Sequence, residues 1–346
     1  MFRIGFTALA ACFLGLCLFL ASAPLAAQSA QPAWVRNPHA GHNRLAYVAA
    51  VGSGNSRQAA ERDALRGIAG VFGLNIRAAE EITMLYQEMV VDGATAWTQQ
   101  AEYRSIIETS IVMDNLMGAS VHSAWEDGRG TFFVLAVLNR ATAVLLYSDR
   151  IRANQDIIRN LTTMPDAQRF SFDGFSRYRF AAVFADMSFA YSEILVVLGA
   201  PWAGPLRRGE WFLQRSQEIL SEIPIGINVR NDRGGRVQGA FAGAFAGLGF
   251  RSAGVNPRFV LDVNVNTWRD EHLVPGVEFA WVELSANLTD THARAVLLPY
   301  GFNLRGSGHF TMAGAENLAF NDAVQRIDRE YGNMLADYLA RLIPRR

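Results

Sequence analysis

The 346-residue chain contains no lysine; all 32 of its basic side chains are arginine. A Walker A loop needs a lysine on the β- and γ-phosphates and Schiff-base catalysis needs an amine, so both chemistries are excluded. Cysteine is almost as scarce. Cys12 and Cys17 both fall near the N-terminus, and a form without that segment has no thiol, no disulfide and no cysteine-ligated metal. No HExxH helix and no GxSxG elbow is present, which removes the common signatures of zinc proteases and α/β-hydrolases. Formal charge is zero, and it falls to −1 when residues 1–27, which hold Arg3 and no acid, are set aside. No basic footprint for nucleic acid exists.

What is present is core-forming material: 50% hydrophobic and 11% aromatic residues, enough for about two packed domains. Arg3 precedes an apolar run from Ile4 to about Ala23 and the small-residue stretch "LAAQSAQPAW", the order of a secretory signal cut near Ala27. Two alternatives stand beside cleavage: lipidation at Cys12 in "LAAC", and retention of the run as an N-terminal anchor, since its length is close to the ~20 residues of a spanning helix. All three place the bulk of the protein outside the cytoplasm. No second apolar run of spanning length is expected.

Periodicity divides the remainder. Residues 45–51 and 131–138 read as buried strands, 101–113 and 119–127 as further strands, and 56–72 as an alanine-rich helix. From residue 141 the spacing becomes helical in two segments, one with Val144, Tyr147, Ile151, Ile158 and Leu161, the other with Phe180, Phe184, Met187, Tyr191, Ile194 and Leu198. These stripes are expected to pack on each other or on a neighbouring domain, with a partner-binding arm as the alternative. A short helix over 207–222 follows. Then come a strand at 223–229, a helix at 235–248, strands near 258–268, 277–289 and 295–310, and an amphipathic C-terminal helix. The expected class is α+β: a signal peptide at 1–27, a small α/β domain at 32–143, a helical hairpin and linker helix at 144–222, and a two-layer β-α-β-β-β-α domain at 223–344.

Three stretches invite a functional reading. "VGSGNSR" lacks the third glycine of a dinucleotide fingerprint, Arg57 standing in its place. Gly52 and Gly54 therefore read as turn residues, with Asn55 or Ser56 capping the helix, and no cofactor is expected. "GAFAGAFAGLG", with glycine at 239, 243 and 247, reads as a helix pressed against its own sheet. "HAGH" at 39–42 has no evident further ligands, reads as a solvated segment, and no metal is expected. No spacing selects a catalytic carboxylate pair.

The alternation in "FVLDVNVNTW" and "FAWVELSANL" is more informative. If these strands pair, Trp268 and Trp281 share a polar face with Asn264, Asn266, Glu283 and Ser285. Flat aromatics among amides suit peptide or glycan contact; cover by another domain or a second copy is the alternative.

"PAWV", "YVAAVGSGNSRQAAERDALRGIA" and "NLMGASVHSAWEDGRGTFFVLAVLNRATA" together resemble the Lpp-twenty-like family of bacterial envelope lipoproteins and, more distantly, the N-terminal part of the flagellar assembly protein T family. The resemblance spans about residues 32–143. It implies a non-catalytic envelope module, often associated with the outer membrane, with no catalytic residues to carry over. The expected function is periplasmic assembly or scaffolding through contacts with envelope proteins or peptidoglycan, outer-membrane or flagellum associated. The alternative is a periplasmic hydrolase whose carboxylate site the sequence does not locate.

Overall fold

The computed structural model describes residues 30–72, 116–252, 257–270, 274–342 and 344. The leader, both cysteines and the strand expected over 101–113 lie outside the described residues. The fold is α+β, in two compact units. The described part of the first covers 30–72 and 116–142, and that of the second runs from Ala143 onward.

In the first unit, strands β1 (Tyr47–Gly54), β2 (Ala119–Glu126) and β3 (Phe132–Asn139) form an antiparallel sheet of order β1-β3-β2. The central strand is buried at every position from Val134 to Leu138, which is why its sequence is a continuous apolar run. β2 and β3 join at Asp127, whose Oδ1 accepts the Arg129 and Thr131 N–H groups at 2.8 and 3.1 Å. Those bonds hold its carboxyl below the usual carboxylate range.

Helix α1 (Arg57–Val71) is capped by Ser56, whose side chain accepts the Ala59 N–H at 3.2 Å, and it buries Ala60, Ala64 and Ile68. The glycines before it have a different reason from the one expected. Gly52 and Gly54 lie inside β1 with no positive φ. A Cβ on Gly52 would run into the Ala64 amide nitrogen and the Ala60 carbonyl, and one on Gly54 would sit 2.8 Å from the Ala59 Cβ. Close approach of helix to strand, not the turn, requires them. The "HAGH" segment is also less solvated than its polarity implies: the His42 ring packs edge-on to Tyr47 at 5.2 Å and to His122 at 4.6 Å.

The second unit combines helices α2 (Arg140–Thr162, from Ala143 on), α3 (Phe172–Val197) and α4 (Gly209–Glu222) with a five-stranded sheet. The sheet holds β4 (Pro224–Arg230), β5 (Arg251–Ser252), β6 (Phe259–Arg269), β7 (Ala280–Asp290) and β8 (Ala295–Arg305) in the order β5-β4-β6-β7-β8. β4 is parallel to β5 and β6, and the crossover to them runs through α5 (Arg236–Gly247). The other pairs are antiparallel. Helix α6 (Met312–Ala340) completes the unit.

One sheet face meets α5 and α6: Val263, Val265, Val282 and Leu284 share a core with Phe241, Phe245, Phe320 and Tyr331. Phe172 of α3 and Ile219 and Leu220 of α4 belong to that same core, the Phe172 ring lying 4.5 Å from Phe259. Where β7 turns into β8, the buried Asp290 receives a two-pronged bond from Arg258, at 3.0 and 2.7 Å, and the N–H groups of His292 and Ala293. Burial pushes the Asp290 carboxyl up, but the Arg258 guanidinium and these N–H groups outweigh it and hold the group low.

Two helices differ from expectation. α3 is long and apolar enough to cross a membrane by length and composition, although no such run was expected after the leader; Arg177, Arg179 and Asp186 interrupt it in the sequence. Within the unit its sides are packed: Tyr191 meets Tyr147 of α2 at 5.6 Å, and Asp186 accepts the Gly209 N–H of α4 at 2.7 Å. A helix apolar on nearly every side is what a core position demands. α5, in turn, does not press its glycines on the sheet. It buries Val237, Ala240, Phe241 and Phe245, while Gly239, Gly243 and Gly247 are exposed and a Cβ there would meet nothing within 4 Å.

Candidate binding face

The opposite face of the five-stranded sheet carries the polar half of the alternation. Along β6 and β7 the burial pattern switches at nearly every residue, because one side faces the core and the other does not. The register sets Trp268 opposite Trp281, Asn266 opposite Glu283 and Asn264 opposite Ser285. All six expected residues thus share one face.

The two indoles are near-parallel, 9° between planes and 6.3 Å between centroids, and Trp268 is 41% exposed. Asn266 donates to Glu283 at 3.2 Å and Asn264 donates to Asn266 at 3.3 Å. These bonds tie the polar groups into a ladder along the strands. Asn266, Glu283 and Ser285 are exposed, while Trp281 and Asn264 are half-buried. A flat apolar pair next to amide and carboxylate groups can stack on a planar or ring-shaped partner while the ladder bonds its polar groups.

The face extends beyond the six. Asp262 and Asn287 pair across β6 and β7, and Asn303 and Arg305 of β8 stand opposite Glu283 and Trp281. Alternation in β6 and β7 already marks the first two. Arg305 and Asn303 are harder to find, because Pro299 and Gly301 take outward positions on β8 and leave its pattern weak. Arg305 is fixed by an ion pair to the buried Asp270 and lies over the Phe279 ring at 3.8 Å. A second ion pair, Arg269 with Glu278, stands at the same end of the strands. The tryptophans therefore sit beside positioned cations rather than mobile ones.

Among the described residues no group of three or more His, Cys, Asp or Glu side chains is placed to hold a metal ion.

No family model matches the chain, and no curated protein matches it. Three solved bacterial proteins align with all or part of the chain at low identity. The secreted protein HP1454 of Helicobacter pylori aligns over 85% of this chain and 96% of its own, with 13% identity and a TM-score of 0.44. A minor lipoprotein of Acinetobacter baumannii covers 32% of this chain and 93% of its own, at 11% identity and a TM-score of 0.27. A protein of Caulobacter crescentus CB15 described as a lipoprotein covers 36% and 91%, at 16% identity and a TM-score of 0.24.

Proposed function

We propose that this is an exported, non-catalytic protein of the bacterial cell envelope that assembles or scaffolds through contacts with envelope proteins or peptidoglycan. The observation that carries the reading is the near-parallel Trp268–Trp281 pair on an uncapped polar sheet face. Tryptophan is enriched at interface hot spots, and this pair is partly exposed beside polar groups. Export is supported by Arg3, the apolar run to about Ala23 and the small residues before Gln28. Membership of the Lpp-twenty-like family belongs to the same proposal and rests on the residues quoted for it. The glutamates lining a cleft of the second unit, Glu218 and Glu222, are each engaged by an arginine, Arg215 and Arg251, an arrangement suited to structure more than to proton transfer.

The test is retention of the purified protein on two supports, solubilised envelope proteins and isolated peptidoglycan sacculi, compared with Asn266→Arg. That substitution places a bulky cation in the middle of the exposed ladder without touching the core. Retention of the wild type on one support and its loss in the variant is expected. Equal retention of both proteins on both supports would remove this face from the function.

A further inference from the structure

The outward side of the five-stranded sheet is polar well beyond the tryptophan pair. Every outward position from Asp262 to Asn266 on β6, and from Glu283 to Asn287 on β7, is an amide, a hydroxyl or a carboxylate. β4 adds Asn228 opposite Asp262, and β8 adds Asn303 opposite Glu283. From Asp262 to Trp268 this surface runs for about 20 Å, at ~3.4 Å per residue. Its amides are held in place: Asn228 donates to Asp262 at 3.0 Å, Asn264 to Asn266 and Asn266 to Glu283. Each of these bonds uses one of the two N–H donors of a side-chain amide and leaves the other for a ligand. Donors and acceptors ordered beforehand lower the cost of binding.

Charge on the face is balanced. Asp262 and Glu283 stand against Arg230 at the end of β4 and Arg305 on β8, and Arg305 is already paired with Asp270. The surface therefore favours a neutral partner. A protein fits it poorly, because the centres of protein interfaces are depleted in acids and serine. A docking helix needs an apolar groove and an extended peptide needs a free sheet edge, whereas β7, through the middle of the face, is bonded to β6 and β8 on its two sides. A strand of neutral sugar rings fits on each count. Its hydroxyls donate and accept as the asparagines do, acetamido groups repeat the amide chemistry of the ladder, and the apolar face of a ring can lie on an indole.

We infer that this face binds the N-acetylated glycan strand of peptidoglycan, one sugar ring on the Trp268–Trp281 pair and the following rings along the asparagine ladder. The inference rests on the proposed use of this face and narrows its partner to sugar, as against protein or stem peptide.

Calorimetric titration of the purified protein with chitohexaose and with cellohexaose tests the assignment. Chitohexaose is expected to bind saturably below about 10 mM, and cellohexaose, which lacks the acetamido groups, several-fold more weakly. Trp268→Ala and Asn266→Arg, with unfolding midpoints checked, should each weaken chitohexaose by about tenfold or more. If Trp268→Ala does not fold, Asn287→Arg, at an exposed position of β7, takes its place. Glycan strands freed of their stem peptides by an amidase should retain the protein as intact sacculi do. The inference is overturned by absence of saturation with chitohexaose, by loss of retention on the stripped strands, or by wild-type binding in the folded variants; equal affinity for cellohexaose overturns the assignment to an N-acetylated strand. If retention on envelope proteins is nonetheless lost in Asn266→Arg, the sugar assignment alone fails. Equal retention of wild type and variant on both supports removes the face itself.

Discussion

Tyr331 is fully buried in the core of the second unit, and its hydroxyl has no hydrogen-bond partner among the described residues. A buried hydroxyl without a partner costs roughly 1–3 kcal/mol, so Tyr331→Phe should leave stability unchanged or raise it by about 1 kcal/mol in urea unfolding. A loss of that size instead would mean the hydroxyl is bonded in solution. Burial raises the Tyr331 phenol, and burial with the nearby Glu330 carboxylate raises Tyr300 to about 12. For groups raised in the folded state, stabilisation is complete below the unfolded value of about 10 and is lost as pH climbs through the folded values. Unfolding midpoints should therefore fall between about pH 10 and pH 12, and less steeply in Tyr331→Phe. Asp290 has the opposite sign. Its depressed carboxyl stabilises the fold above the unfolded value of about 3.9 and loses that contribution as pH falls below it. Asp290→Asn leaves Arg258 without its counter-charge at the buried corner and should cost about 2–4 kcal/mol at neutral pH. A variant as stable as wild type would show that the pair is dispensable.

Among the elements, α5 offers a clean test. Gly243 is exposed, helical and has open space where a Cβ would go. Gly243→Ala should raise stability by about 0.5–1 kcal/mol through helix propensity alone, read as a higher unfolding midpoint; a lower midpoint would mean that the glycine stripe is packed against something in solution. That stripe was misread for a physical reason. Small residues every four positions fit a tightly packed helix and a bare one equally, and only the phase of Phe241 and Phe245 decides which side is inward. β6 and β7, by contrast, were legible to within about three residues, because burial on one side imposes strict alternation. The same alternation placed Trp268, Trp281, Asn264, Asn266, Glu283 and Ser285 on one face before any register was known. α3 was less legible, since its five charged residues, Asp173, Arg177, Arg179, Asp186 and Glu193, interrupt its apolar positions along the sequence. The cleft lined by Glu218 and Glu222 had no sequence signal at all. Its walls come from three separated segments, and nothing in the local pattern of any one of them marks a concavity.

At the scale of the molecule, the second unit has one sheet face sealed by α5 and α6 and the other left polar with an aromatic pair at its end. A two-layer unit needs only one covered face to be stable, so the outer face is available for a partner, and the proposed function depends on its being used. The most direct measurement is Trp268→Ala, followed in parallel by urea unfolding and by retention on whichever envelope support binds the wild type. The ring is 41% exposed and stacks on Trp281, so its removal should cost stability on the order of 1 kcal/mol, the worth of one aromatic pair. Association should weaken by about 2 kcal/mol or more, roughly thirtyfold, as at an interface hot spot. Loss of about 3–5 kcal/mol of stability, the usual cost of removing a core tryptophan, with retention unchanged, would contradict the account and return both rings to a structural role.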